Sequence, residues 1–404
     1  MVMKPRISEP SQEIDDRSVA LTTAAPRATG PGDRAQDRAA WVDNLRVAVI
    51  VGVIGAHVSL IYALDVGWYY EERTASEVTT ALLAGIFSPA LVFGMGLLFF
   101  VAGFFTPGAF DRKGPQRFIT DRLWRLGIPV LAYLFVINPA MNYIGDRAMG
   151  SQDGLGDYFR QTYLDDVAFG IAWFILALLL FSLGYAGWRQ HHPSDSVAAV
   201  PLRRRDLVNA AVFIASGSFL VRLVWPFLGT DEMLGLNLWE YPQMIALFFL
   251  GVLATERRWL ADGLSVPLRR TCGRTAAVGI ALIAALGVAI TLTDDPDPFL
   301  GGFRLEATII PIAEAMIAVG MSLWAVDWFR RRWSRSGPIG RAMGRASFSA
   351  YLVHAPLTVI LAIAVRDVDV AAEAKLLAVF TAATAASYGL GWLSTRSGAT
   401  GRVL

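Results

Sequence analysis

Along this chain, apolar runs of about twenty residues alternate with short polar and charged segments. A helix of that length matches the hydrocarbon core of a bilayer, about 30 Å thick at a rise of about 1.5 Å per residue. Ten runs qualify, at roughly 45–64, 81–106, 124–141, 169–188, 207–227, 239–255, 275–292, 305–328, 346–365 and 372–393. They predict an all-α polytopic membrane protein, a bundle of about ten transmembrane helices. Residues 1–40 read as a disordered cytoplasmic tail, 41–395 as the transmembrane domain and 396–404 as a short cytoplasmic tail. Pro311 and Pro356 interrupt two of the runs, which membrane helices tolerate, with or without a kink.

Composition agrees: 54% of the 404 residues are hydrophobic and 17% charged, too apolar for a water-soluble domain. The net charge of +2 says little as a total; the placement of charge says more. With the amino terminus inside, Arg73, Arg147, Arg160, Arg222, Arg304, Arg366 and Lys375 fall on or near the outer side, leaving 29 of the 36 Lys and Arg residues within. That bias puts both termini in the cytoplasm. The first 40 residues carry no apolar core after a basic start, so they are not a secretory signal. The longest outer loop, about 142–168, mixes Asp146, Asp153, Asp157, Asp165 and Asp166 with Tyr143, Tyr158, Phe159 and Tyr163. Such a loop suits a sugar-binding surface, and equally an ordinary segment beside an aromatic belt.

The chemistry concentrates in WVDNLRVAVIVGVIGAHVSLIYAL, residues 41–64. Ten residues stand between Arg46 and His57, so the two lie only about 20° apart around a helix and about 16 Å apart along it. Arg46 marks one membrane surface and His57 lies near mid-depth. An imidazole there can tie helices together by hydrogen bonding; it is also the side chain best suited to proton transfer near neutrality. A second cluster, FDRKGPQRFITDRLWRLGIP, sets Arg122 and Arg125 at i, i+3 with Arg117 nearby. Guanidinium groups grip phosphate bidentately, while basic residues beside a span also serve topology and anionic lipid. Glu314, Arg222 and His354 fall in or near spans as cavity-lining candidates, and Glu314 could pair with Arg222. Trp68, Tyr69, Trp188, Trp225, Trp239 and Trp328 read as interface anchors. The single cysteine, Cys272, excludes an internal disulfide, and four histidines make a metal cluster improbable. No P-loop, GxGxxG turn or GxSxG elbow is present, which removes support for an ATP-driven pump or a serine hydrolase.

The opening WVDNLRVAVIVGVIGAHV, the loop RFITDRLWRLGIP, the segment LWEYPQMIALFFLGVLA and the late RASFSAYLVHAPLTVIL together resemble acyltransferase family 3, over nearly all of residues 41–393. Within that family the match resembles the glucan biosynthesis protein C branch. The resemblance implies a bacterial inner-membrane enzyme, with an acyl-CoA donor entering from the cytoplasm and a carbohydrate hydroxyl, such as that of a periplasmic glucan, as acceptor. No permanently bound cofactor, metal or nucleic acid is implied. By the same resemblance His57 is the catalytic histidine, Arg46 its partner, and Arg122 and Arg125, with Arg117, the donor-binding arginines; His354 matches a recurrent YLxH position without an assigned role. If the acyl group is succinyl, its carboxylate needs a cation, for which Arg222 is a candidate.

Two readings from other classes remain. A proton-coupled secondary transporter would use His57 and Glu314 as proton carriers, and a scaffold would recruit glycan-synthesis partners without chemistry at His57. No pair of interrupted helices in corresponding halves supports the transporter.

Overall fold

A computed structural model describes residues 31–64, 67–164, 167–192, 200–227, 233–260, 263–293 and 295–396. Ten long helices carry the fold, and no strand occurs among the described residues. They are α1 (Pro31–Tyr62), α2 (Glu77–Lys113), α3 (Pro115–Ala148), α4 (Gly170–His191), α5 (Arg204–Arg222), α6 (Leu238–Glu256), α7 (Val266–Thr293), α8 (Glu306–Arg332), α9 (Pro338–Ala364) and α10 (Ala372–Ser394). Among the described residues nine of these are long and apolar enough to cross a membrane. The tenth, α5, occupies the expected place but opens on Arg204, Arg205 and Asp206, ends on Arg222 and carries Asn209, Ser216 and Ser218 along its length. Of the expected amino-terminal tail, residues 1–30 lie outside the described residues, and 31–39 are drawn into α1. Of the carboxy-terminal tail, 397–404 also lie outside them.

Helix α1 packs against α2, α8, α9 and α10. Two buried apolar clusters share it, one built mainly from α3, α4, α9 and α10, the other from α5, α7 and α8, with α1, α2 and α6 contributing to both. Small residues set the close crossings, as membrane helices favour. Where α2 meets α6, a Cβ on Gly103 would stand 2.0 Å from the Phe248 carbonyl oxygen, and one on Gly251 2.1 Å from that of Phe100. Where α7 meets α8, a Cβ on Gly320 would stand 2.7 Å from the Cys272 carbonyl oxygen.

Prolines shape the helices around the first cluster. A proline inside a helix lacks an N–H and pushes on the carbonyl four residues earlier. In α3, π-helical segments at Leu123–Gly127 and Tyr133–Ile137 run up to Pro129 and Pro139, widening the turn where the i→i−4 bond is lost. The carbonyl freed by Pro139 is that of Phe135, and the Tyr163 hydroxyl donates to it at 2.8 Å. Pro356 lies within a continuous α9 and frees the carbonyl of Leu352, to which the buried Tyr133 hydroxyl of α3 donates. Pro311 sits in the first turn of its helical segment, Ile309–Arg332, where a missing N–H costs nothing. Pro356 thus acts as an anchor point between α3 and α9, two residues from His354.

Candidate functional site

His57 and His354 are brought together from α1 and α9. Both are buried, with 9% and 0% of their surface exposed, and their ring centroids are 4.9 Å apart. His57 Nδ1 lies 2.8 Å from the Val53 carbonyl oxygen, His354 Nδ1 lies 2.5 Å from that of Tyr351, and His354 Nε2 lies 3.2 Å from His57 Nδ1. A carbonyl only accepts, so each Nδ1 carries a proton, and in the neutral ring the lone pair is then at Nε2. His57 Nδ1–H therefore donates to Val53 and, as a second branch, to His354 Nε2. That leaves the lone pair of His57 Nε2 with no protein partner among the described residues. Two neutral imidazoles in this arrangement leave one unpartnered ring nitrogen, with the tautomer fixed by the backbone and by a second histidine.

Trp68 closes over this pair, its ring 4.6 Å from that of His57. It comes from the segment after α1, which turns back across the helix end. Glu72 N–H donates to the Ile61 carbonyl and Thr74 N–H to that of Tyr62, both at 2.8 Å, satisfying helix-end acceptors that would otherwise be orphaned. Lys375 of α10 then fixes the turn, bridging Glu72 at 2.5 Å and the Arg366 carbonyl at 2.6 Å. Beside Trp68, Tyr69 donates to the Asn138 side chain, and burial raises its phenol so that it stays a donor. Trp68 is therefore a wall of the histidine site, where sequence suggested an interface anchor. Trp239 departs in the same way: it is buried and packs edge-on against Phe227.

A cavity of about 420 Å³ lies between α1, α2, α3, α4 and α9; neither His57 nor His354 lines it, and it reaches toward them only as far as Tyr351. Arg46, Arg122 and Arg125 all line it, joined by Asp43 and Arg345, and Phe105, Phe174 and Tyr351 give it an aromatic wall. Arg46 lies 3.5 Å from Asp43 and over the Phe105 ring, and Arg122 over that of Phe118. Arg125 belongs to the first π segment of α3 and still shares the cavity with Arg122 despite the widened turn. Tyr351 links cavity to histidines: its ring is 5.4 Å from His354, and its hydroxyl donates to the Ile171 carbonyl at 2.6 Å. Cationic groups at one end and a histidine pair beyond Tyr351 can hold an elongated molecule, anionic at its head, with its other end near a base. Arg117 is exposed and does not line this cavity.

Arg222 and Glu314 form a separate buried pair at 2.7 Å, with side chains 2% and 4% exposed. Neither lines the arginine cavity, and the Arg222 guanidinium is committed to Glu314. An acyl carboxylate held by Arg222 would have to share it. Tyr143 at the end of α3 and Tyr158, Phe159 and Tyr163 in the segment after it pack on one another. Tyr158 and Tyr163 donate their hydroxyls to the carbonyls of Pro139 and Phe135, each at 2.8 Å, so both serve to brace α3. Asp165 and Asp166 lie outside the described residues.

Sequence reasoning missed Arg345, Trp68 and Tyr351 as site components. Arg345 was visible only as the first residue of RASFSAYLVHAPLTVIL, in an arginine-rich stretch with no signal of its own. Trp68 lies outside any periodic segment. Tyr351 was visible only as part of the YLxH pattern.

Comparison with known proteins places residues 39–396 within a family model described as the acyltransferase domain. The chain is 25% identical over 334 residues to proteins named Glucans biosynthesis protein C from Salmonella agona, Salmonella dublin and Salmonella gallinarum, covering 79% of this chain and 82% of each relative. No solved structure gives a significant match.

Proposed function

The chain belongs to the acyltransferase-domain family, and from that premise we propose that it moves an acetyl or succinyl group from acyl-CoA at the cytoplasmic face of a bacterial inner membrane to a hydroxyl of an extracytoplasmic glucan. That it is a multi-pass membrane protein and an enzyme that transfers acyl groups follows from its helices and its family; the rival transporter and scaffold readings lose their support there. The donor, acceptor and sidedness are the proposal. The bias of Lys and Arg toward the inner loops supports cytoplasmic termini and a cytoplasmic arginine cavity. The relatives named for glucan biosynthesis support a glucan acceptor.

The observation that carries the reading is one cavity lined by Arg46, Arg122 and Arg125 that reaches Tyr351, itself packed on His354 and so next to His57. The phosphates of the donor lie among the arginines and its pantetheine arm runs along α1 toward His57. His57 Nε2 takes the proton of the acceptor hydroxyl as that oxygen attacks the thioester carbonyl, a role worth typically about 10² to 10⁴ in rate. The C–S bond breaks, and the departing thiolate recovers the proton from His57 Nε2–H. His354 Nε2, accepting from Nδ1–H, stabilises the imidazolium formed in between. Trp68 keeps water from the base. Only the acyl group need pass outward; the charged head of the donor stays with the arginines.

The test uses membranes containing the wild type or Arg122→Ala/Arg125→Ala at equal expression, supplied with glucan and labelled acetyl-CoA or succinyl-CoA. Label enters glucan from one of the two donors, and the double variant raises the KM for that donor at least about tenfold, as loss of charge-assisted phosphate contacts requires. An unchanged KM, or labelling that does not depend on the CoA thioester, refutes the donor assignment.

A further inference from the structure

The cavity holds four guanidinium groups and one carboxylate, and the fourth cation, Arg345, belongs neither to the Arg46–His57 pair nor to the Arg122–Arg125 cluster. It arrives from α9 through a close crossing of α1 and α9. A Cβ on Gly344 would stand 2.5 Å from the Asp43 Cβ, so only glycine lets the two helices meet there. The adjoining Asn44 donates to the carbonyls of Trp333 at 2.8 Å and Arg335 at 3.1 Å and accepts from the Ser336 hydroxyl at 2.7 Å. These bonds tie the turn before α9 to α1 at Asn44, so the backbone that carries Arg345 is held against the backbone that carries Arg46.

Arg46 and Arg122 are half-buried, while Arg125 and Arg345 are exposed. The crossing of Gly344 on Asp43 sets Arg345 nearer the amino-terminal end of α1 than Arg46, which lies three residues further along. Asp43 offsets part of the charge of Arg46, which leaves about three cations unmatched. A phosphodiester lipid headgroup brings one negative charge; a pyrophosphate joined to a further phosphate monoester brings three or more. In a thioester donor oriented with its acyl end inward, the pyrophosphate lies at the depth of Arg46 and Arg122 and the nucleotide phosphate nearer the amino-terminal end of α1.

We infer that Arg345 is a donor-specificity residue that binds the 3′-phosphate of the coenzyme A thioester and so selects it over donors lacking that group. The inference rests on the CoA-donor reading given above. A guanidinium fork on a phosphate monoester makes two charge-assisted hydrogen bonds, and a geometry of this kind is one that lysine reproduces only in part.

The experiment measures binding of CoA and of 3′-dephospho-CoA to the full-length protein in lipid nanodiscs, for the wild type, Arg345→Ala and Arg345→Lys. The wild type binds CoA about ten- to a hundredfold more tightly than the dephospho form. Arg345→Ala loses that preference while its affinity for 3′-dephospho-CoA is unchanged, which also shows that the variant is folded; Arg345→Lys recovers part of it. Equal weakening of both ligands in Arg345→Ala overturns the inference, since Arg345 would then act as diffuse charge. Equal affinity of the wild type for the two ligands overturns it as well. Failure of the wild type to bind either ligand defeats the CoA-donor reading, and this inference falls with it.

Discussion

Replacing Tyr133 by Phe removes one oxygen from the protein interior, and the structure states what that oxygen does. Its hydroxyl donates to the Leu352 carbonyl, which is free because residue 356 is proline and has no N–H to offer. Both groups are buried, and water does not replace the donor. Leaving such a carbonyl unpaired costs about 1 to 3 kcal/mol. The cost is conditional on Pro356. In a Pro356→Ala background the backbone N–H of residue 356 bonds Leu352 within the helix, so the same Tyr133→Phe change costs only a few tenths of a kcal/mol to about 1 kcal/mol. A double-mutant cycle therefore gives a coupling of roughly 1 to 2 kcal/mol between residues on different helices. Unfolding of the four proteins in one detergent, followed by tryptophan fluorescence against denaturant, measures it. Equal cost of Tyr133→Phe in the two backgrounds refutes the reasoning that this hydroxyl stands in for the missing helix bond.

The Arg222–Glu314 pair, buried at 2.7 Å, makes a non-additive prediction. Arg222→Leu leaves the Glu314 carboxylate alone in the interior and costs about 3 to 5 kcal/mol, whereas the double replacement Arg222→Leu/Glu314→Leu strands no charge and costs less. A double variant with lower thermal stability than Arg222→Leu contradicts this. His354→Ala removes one hydrogen bond that orients His57, worth about 0.5 to 1.5 kcal/mol. It lowers kcat roughly three- to tenfold with the donor KM unchanged, and an unaltered kcat places His354 outside the mechanism.

The helical register was legible because it depends on run length and on 100° per residue, both properties of the sequence alone. Arg46 and His57 share a face of one continuous helix as the spacing requires. Arg122 and Arg125 meet Arg46 in one cavity, although the turn that carries Arg125 is π-helical. Helix α5 was legible by its place but is less apolar than its neighbours, because Arg222 and Ser218 face the interior rather than lipid. What stayed hidden were contacts between distant segments. The role of Pro356 depends on Tyr133, 223 positions earlier in the chain; that of Arg345 on Gly344 meeting Asp43; that of Trp68 on a turn fastened by Lys375. No local pattern encodes such meetings, since each depends on which helices become neighbours. The Arg222–Glu314 pair lay between these extremes: two charges at membrane depth call for partners, and chemistry narrows the choice that sequence cannot complete.

The most direct test of the account is the acyl-transfer rate of His57→Ala and His57→Gln beside the wild type, at equal membrane levels and with CoA binding measured on the same preparations. Unchanged CoA affinity with transfer reduced about 10² to 10⁴-fold in both variants is the result expected if the lone pair of His57 Nε2 performs the chemistry. Transfer at the wild-type rate in either variant would contradict it and leave His57 as a helix-packing residue.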